Sequence, residues 1–311
     1  MRTKPSDGHG RQAVVANGSG GAVWRAAESL LIYAALLVWT FIALFPIYWT
    51  VTTTFKIAPD VTQGHLIPWL DFSPATKGLR SLGLSPDTIF ATSTVRDLFV
   101  KRFTNSIVAS AGASALAVVI GSLAAYGLSR FEYKFGPWRN KDISFFFLSQ
   151  LILPPVVLAM PFLVLYKQLA LLDTQIGLVL IYTLMVLPIV IWVMRDQFDT
   201  IPPEIGEAAL VDGCSIWGAF LRIVLPIALP GMVAAFILSV VLCWNEYFFS
   251  ALLTSTNAQT LPVLVASQTG SQGIDWWSMA AVSTAAIAPL VLIGVFLERY
   301  IVKGLTAGAG K

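Results

Sequence analysis

Residues 29–51 read SLLIYAALLVWTFIALFPIYWTV and contain no charged side chain. A helix that crosses the hydrocarbon core of a membrane needs about 20 such residues, whereas the apolar region of a cleavable signal peptide has about 7–15. We therefore predict an uncleaved membrane helix, preceded by a polar, glycine-rich N-terminal tail of residues 1–26.

Five further stretches resemble this one in length and apolar content. The six stretches lie at residues 29–51, 104–128, 143–166, 175–194, 231–253 and 278–297. One such run could be a buried core helix of a soluble protein, but six in one chain favour membrane helices. These helices satisfy their backbone hydrogen bonds internally, as lipid requires, and the runs lack the period-two alternation of a membrane β-barrel. The sequence thus predicts an all-α membrane protein with six transmembrane helices.

The composition supports this class and excludes others. The chain of 311 residues is 56% hydrophobic and 12% charged, whereas a soluble domain carries roughly 25% charged residues. An ordinary soluble protein and a disordered chain are both excluded. The net charge of +3 is too small a surplus to indicate nucleic acid as a partner, and no basic cluster interleaves with aromatic residues.

Basic residues in the short loops predict the orientation. The loop at 129–142 holds four lysines and arginines, and the loop at 254–277 holds none. Because basic loops stay in the cytoplasm, both termini are predicted to be cytoplasmic. The long segment 52–103 then forms an external loop, and residues 304–311 form a cytoplasmic tail after a membrane domain of residues 27–303.

The segment between the fourth and fifth predicted helices, residues 195–230, is longer than most connections and is predicted to be structured. Its centre, residues 201–215, reads IPPEIGEAALVDGCS. Pro202 and Pro203 suit a helix start, Gly213 suits a helix stop, and Ser215 suits the cap of a second short helix that ends at Pro226.

The charge of this cytoplasmic segment predicts what it contacts. It carries five acids against two bases, whereas helices that rest on anionic lipid are rich in lysine and arginine. The balance favours a protein partner over the membrane surface. Ala208, Ala209 and Gly213 remove bulk and allow a neighbouring backbone to approach closely.

The same segment resembles the EAA loop of permease subunits of binding-protein-dependent ABC importers. Glu207-Ala208-Ala209 is followed after three residues by Gly213 and, nine residues later, by Ile223-Val224-Leu225-Pro226. Trp244-Asn245-Glu246-Tyr247 and the C-terminal residues 298–308 extend the resemblance to the carbohydrate branch, similar to the maltose-type G subunit. Cys214 departs from the usual alanine but is also small.

The resemblance implies a set of partners. It implies a heterodimer with a second, related permease subunit, two cytoplasmic ATPase subunits that bind ATP and magnesium, and an external or periplasmic solute-binding protein. It also implies a multi-pass location in the bacterial inner membrane. The residues expected to couple this chain to an ATPase are Glu204, Glu207, Ala208, Ala209, Asp212 and Gly213.

Candidate residues for the path of a sugar lie late in the fifth predicted helix. An acid inside a membrane segment is costly and usually faces a cavity, so Glu246 is the leading candidate, with Asn245 to bind hydroxyls and Trp244 and Tyr247 to stack on sugar rings. The alternative for Glu246 is an interfacial position or a hydrogen bond between helices. Gln150 is a further candidate, for which a packing hydrogen bond is the alternative.

No pattern in the chain predicts catalysis, a resident cofactor or a metal site. The sequence lacks zinc-ligand spacing, a nucleophile elbow and a phosphate-binding loop, so ATP hydrolysis is expected in partner subunits. An ion-coupled secondary transporter is the alternative function, although that class often has internal repeats and several deep charges. A membrane-bound enzyme would need a converging set of reactive side chains, which the sequence does not indicate.

Overall fold

The computed structural model describes residues 20–87, 94–270 and 273–307. The chain divides into two compact units after residue 50. Within the described residues, the helices are α1 Gly20–Thr53, α2 Ala58–Thr62, α3 Lys77–Arg80, α4 Thr94–Arg130, α5 Asn140–Ser149, α6 Pro155–Gln168, α7 Gln175–Asp199, α8 Pro203–Val211, α9 Ile216–Ala219, α10 Leu225–Ile227, α11 Leu229–Trp244, α12 Phe248–Leu253, α13 Leu261–Ala266 and α14 Trp276–Ala307. Two hairpins pair β1 Lys134–Phe135 with β2 Trp138–Arg139 and β3 Thr269–Gly270 with β4 Gly273–Ile274.

Four of these helices are long and apolar enough to cross a membrane. They provide the candidate spans Ala27–Thr53, Thr94–Arg130, Gln175–Asp199 and Trp276–Val295. Each contains one of the runs predicted from the sequence or most of it. Helix α4 begins at Thr94, earlier than the predicted run at 104, and α14 continues through the predicted stop at Glu298 to Ala307. The predicted tail 1–26 lies largely outside the described residues.

Two bent pairs of helices are further candidate spans. Asn140–Ile152 and Pro155–Gln168 meet at 92°, and Ile216–Ile227 and Leu229–Trp244 meet at 73°. The first pair contains the predicted run 143–166. The second does not match the predicted run 231–253, because it starts at Ile216, in the segment predicted to be cytoplasmic, and ends at Trp244, and the rest of the run forms the separate helix α12. The first bend lies at Leu153-Pro154, because proline cannot continue the preceding helix and restricts the residue before it. The described chain therefore has four continuous spans, or six if each bent pair crosses once, which leaves the predicted number of six open.

Helices α4 and α7 form the centre of the second unit. On α4, Ala109, Ala113, Ala117 and Ala125 lie four residues apart or at multiples of it and are almost completely buried. Gly121 occupies the position between Ala117 and Ala125 in this series. A Cβ on Gly121 would lie 2.6 Å from Cγ1 of Val190 on α7. The small side chains thus let the two helices approach closely. Helix α11 packs against both α4 and α7, and α14 packs against α11.

A single carboxylate joins two loops of this unit. Asp173, between α6 and α7, accepts hydrogen bonds from the backbone N–H groups of Ser255, Thr256, Asn257 and Ala258 at 3.0–3.2 Å. Its own N–H donates to the carbonyl of Leu253 at 2.8 Å. The connection between α12 and α13 is therefore held around one side chain.

Candidate functional site

Helix α8 forms at the position and with the ends that the sequence predicts. Pro202 is extended and Pro203 occupies the first turn, where its missing N–H costs nothing. At the other end the N–H of Cys214 donates to the carbonyl of Ala209 at 3.0 Å and that of Gly213 to Leu210 at 3.1 Å. Gly213 has φ +86°. This is a Schellman motif, which requires a left-handed residue and so explains the glycine.

The predicted coupling residues do not all lie on the same face of α8. Glu204, Glu207 and Ala208 lie on the exposed face, as does Val211, which the sequence pattern did not single out and which is 88% exposed. Asp212 and Gly213 are also exposed. Ala209 is only 3% exposed, because helical periodicity turns it inward. Ala209 thus supports the packing of α8 on this chain and is removed from the predicted contact surface.

The N-terminal side of α8 is tied to the helix bundle. A guanidinium nitrogen of Arg130, the last residue of α4, donates to the carbonyls of Phe198 at 3.0 Å and Ile201 at 2.7 Å. Phe198 and Ile201 are buried. The segment that leads into α8 is therefore hydrogen-bonded to the end of α4 and continuous with the end of α7.

The second short helix follows from the cap that the sequence predicts. The Ser215 hydroxyl accepts a hydrogen bond from the N–H of Gly218 at 3.1 Å and starts α9. A π-helical turn at Phe220–Val224 follows, and the helix ends at Ile227 instead of at Pro226 as predicted. Proline lies in the first turn of α10, where it is tolerated. Trp217 on α9 is 64% exposed and, like Val211, adds an apolar group to this surface.

The predicted sugar-path residues lie at a break in the chain between α11 and α12. Trp244, Asn245 and Tyr247 line a cavity of about 350 Å³ together with residues of α13 and α14. The Trp244 ring is buried, its N–H donates to the carbonyl of Ala286 at 3.0 Å, and it meets Phe103 edge to face. Trp244 is thus a fixed wall of the cavity, while Tyr247 is 47% exposed.

Glu246 turns its carboxylate toward the backbone of the next helix. It accepts hydrogen bonds from the N–H of Phe249 at 2.9 Å and of Ser250 at 3.2 Å, at the start of α12. These are groups that a helix start leaves without partners. In this conformation the carboxylate accepts hydrogen bonds from backbone N–H groups of the next helix, which corresponds to the alternative of a hydrogen bond between helices.

Gln150 lies apart from the other sugar-path candidates. It lines a separate cavity of about 420 Å³ at the bend between α5 and α6, whose walls include Phe147, Phe162 and Phe249. Its side-chain nitrogen donates to the carbonyl of Phe146 at 3.3 Å. The structure therefore does not bring Gln150 together with Trp244, Asn245 and Tyr247.

The part of the chain that the structure describes holds no cluster of three or more histidine, cysteine or acidic side chains that could bind a metal ion.

The chain matches the family model described as a binding-protein-dependent transport system inner membrane component over residues 117–307. The chain belongs to this family. The match covers the bent pairs, α8 and the break at 245–247, so it includes all of the candidate residues.

Two relatives support the assignment to this transport family, and a solved structure shares the fold. The chain is 31% identical to the trehalose transport system permease protein SugB of Mycobacterium tuberculosis over 93% of this chain and 97% of the relative. It is 31% identical to the trehalose/maltose transport system permease protein MalG of Thermococcus litoralis over 91% and 96%. A crystal structure of a bacterial ABC transporter involved in the import of alginate has the same fold, with a TM-score of 0.68 at 18% identity over 92% of this chain and 99% of that chain.

These findings confirm the resemblance drawn from the EAA-type segment. As a member of this family the chain is a multi-pass protein of the bacterial inner membrane and a transport component, not an enzyme. Neither the family nor these relatives favour an ion-coupled secondary transporter. Helical spacing could have predicted the exposure of Val211, because residues four apart lie on the same face of a helix and Val211 follows Glu207 by four.

The backbone at Gly213 gives a testable prediction for this transport component. Gly213→Ala has room for its methyl group, since a Cβ would meet no atom within 4 Å, but it must adopt φ +86°. We expect a loss of about 1 kcal/mol in the stability of the α8 C-terminus. Limited proteolysis of the 203–216 segment should become several-fold faster. Gly213→Asn is the matched control, because asparagine tolerates this conformation, and equal cleavage of the two variants would contradict the prediction.

Proposed function

We propose that this chain is the membrane-spanning permease subunit of an ABC importer that moves a sugar or sugar-like solute into the cytoplasm. The support for a sugar comes from relatives named for trehalose and for trehalose/maltose transport, which align with nearly the whole chain. Transport proceeds by alternating access, in which the spans open first to one side of the membrane and then to the other.

Helix α8 couples the chain to a partner ATPase. Its exposed face offers Glu204 and Glu207 as polar anchors, Ala208 for close approach and Val211 as an apolar contact. ATP and magnesium are bound by the two ATPase subunits. When these close, α8 is pulled, and Arg130 passes the movement to α4 and α7 through its bonds to the carbonyls of Phe198 and Ile201. This exposed helix on an anchored base is the observation that carries the coupling role.

The cavity at the break between α11 and α12 contributes to the sugar path. Its size of about 350 Å³ suits a small ligand. Asn245 supplies amide groups and Tyr247 an exposed aromatic ring, the two kinds of side chain that bind hydroxyls and the apolar faces of sugars. A second permease subunit, forming a heterodimer, and an external solute-binding protein complete the assembly in the lipid bilayer.

The experiment that tests this function separates ATP from ion gradients as the energy source. The tagged chain is purified from its native membrane, and a second permease and an ATPase subunit should copurify. Uptake of a labelled sugar, chosen by a ligand screen on the cognate binding protein, should stop when the phosphate-binding lysine of the ATPase is replaced with alanine. Uptake that persists in that variant and stops when a proton gradient is collapsed would refute the proposal.

Tyr247 provides a test of the sugar path. Tyr247→Ala should raise the KM of uptake about fivefold, the equivalent of about 1 kcal/mol of lost aromatic contact. Initial rates at varied sugar concentration measure this change. Tyr247→Phe keeps the ring and should stay within about twofold of the original KM. An unchanged KM in the alanine variant would place the ring outside the path.

A further inference from the structure

The connection between α4 and α5 is a small two-faced hairpin. Lys134 pairs with Arg139 and Phe135 with Trp138 across β1 and β2. The turn contains Gly136, whose φ of +61° allows the tight reversal. Because side chains alternate across a strand, the Lys134–Arg139 pair lies on one face and the Phe135–Trp138 pair on the other.

The charged face of the hairpin places two cations side by side. Like charges directly opposite each other destabilise an antiparallel pair, so a bound anion would stabilise this one. Lys134 and Arg139 are exposed, as is the following Lys141. Within residues 20–87, 94–270 and 273–307, none of the salt bridges involves these three side chains. The pair thus has the charge and the access to bind an anion from outside the chain.

The other face of the hairpin is aromatic and open. Phe135 is 82% exposed and Trp138 is 44% exposed. The Trp138 ring meets Phe146 of α5 with centroids 6.0 Å apart, beside a cavity of about 380 Å³ that Phe145 and Asp142 also line. Tryptophan, the residue type of Trp138, is enriched where membrane meets water.

The position of the hairpin along the chain fixes its depth. It begins four residues after α4 ends at Arg130, and the apolar run of the next span begins at 143. Helix α4 is a candidate membrane span, and the bent pair that begins at Asn140 is another, so we place the hairpin at the level of lipid headgroups. In the orientation predicted from the basic loops, that level belongs to the cytoplasmic leaflet, which is anionic.

We propose that the hairpin of residues 134–139 is a binding site for anionic phospholipid, with the phosphate held by Lys134 and Arg139 and the aromatic pair inserted beside the acyl chains. The proposal takes the orientation of the chain from the basic loops and does not depend on the proposed function. It differs from the coupling surface on α8, which is acidic and is expected to contact protein.

The full chain, purified in an uncharged detergent, tests this site by titration with fluorescent short-chain phosphatidylglycerol. Each base near an anionic surface contributes about fivefold to affinity, so Lys134→Gln with Arg139→Gln should weaken binding about 30-fold. The matched control removes two exposed bases elsewhere, Lys101→Gln with Lys167→Gln, and should stay within about threefold. The exchange Lys134→Arg with Arg139→Lys keeps both charges and should retain binding, which separates loss of charge from misfolding.

Three results would overturn the lipid-binding proposal. They are equal weakening in the hairpin and control variants, equal binding of a phosphatidylcholine analogue, and displacement of the lipid by millimolar inorganic phosphate alone. Loss of a copurifying ATPase with unchanged lipid binding would make the hairpin a protein contact instead. Because the titration uses this chain alone, a failure of the importer function would appear only in the uptake and copurification experiments.

Discussion

Glu207→Lys is expected to lower ATP-driven sugar uptake more than tenfold while the amount of protein in the membrane stays unchanged. Glu207 is exposed on α8 and contributes nothing to the buried core of the chain. The substitution therefore acts on the partner: reversing one charge in a desolvated interface costs several kcal/mol, and about 1.4 kcal/mol already corresponds to a factor of ten. Uptake, ATP hydrolysis and protein level are measured in the same membranes, and hydrolysis should continue without transport.

Two controls separate coupling from general damage by a charge change. Glu207→Gln keeps the hydrogen-bonding shape and should lose far less uptake than the lysine variant. Asp196→Lys makes the same charge reversal at an exposed acid of α7, outside α8, and should retain most of the uptake. If Glu207→Lys transports normally, or if Asp196→Lys fails as severely, α8 is not the specific contact.

Asp173→Ala is expected to lower the free energy of unfolding of the detergent-solubilised protein by about 3 kcal/mol. The carboxylate accepts from four successive backbone N–H groups of residues 255–258. A hydrogen bond to a charged group contributes about 1.5–3 kcal/mol. Because Asp173 is only partly buried and the released N–H groups can bind water, the expected loss corresponds to one or two such bonds. The alanine must also adopt φ +56°. Thermal unfolding in detergent measures the loss, and an unchanged melting temperature would contradict it.

The charge of Asp173 gives this stabilisation a defined pH range. Partial burial raises the pKa of Asp173, but the four backbone N–H groups outweigh it and hold that pKa well below its usual value. A lowered pKa means that the stabilisation is present above the unfolded pKa of about 3.9 and is lost as the pH falls toward the folded pKa. The difference in melting temperature between the original chain and Asp173→Asn should be constant from about pH 8 to 5 and shrink below about pH 4.

The membrane class and the helical boundaries of the coupling segment could be predicted because they depend on local pattern. Long apolar runs leave lipid as the only suitable surroundings, and Pro203, Gly213 and Ser215 direct helix starts and stops through their own backbone limits. The continuity of the spans was harder to predict. An apolar run at 143–166 does not by itself tell a straight helix from two helices that meet at 92°.

The direction in which each candidate sugar-path side chain points could not be predicted from the sequence. Asn245 and Tyr247 were expected to face one cavity together with Glu246, yet the Glu246 carboxylate lies on the N–H groups of Phe249 and Ser250. A sequence pattern places these residues near one another but does not say which way each side chain points. That choice depends on which backbone groups remain without partners once α11 ends at Trp244.

The sequence by itself determined that this protein lies in a membrane and that a short acidic helix follows the span that ends at Asp199, because hydropathy and backbone-limited residues act over a few neighbours. The relation to importer permeases came from the resemblance of residues 207–226 to the EAA loop. Only the tertiary structure decided that Ala209 faces inward while Val211 stays exposed, and that Asp173 holds a loop 85 residues away. Those outcomes depend on which distant segments pack together. Local sequence patterns do not predict the burial and hydrogen bonds between such segments.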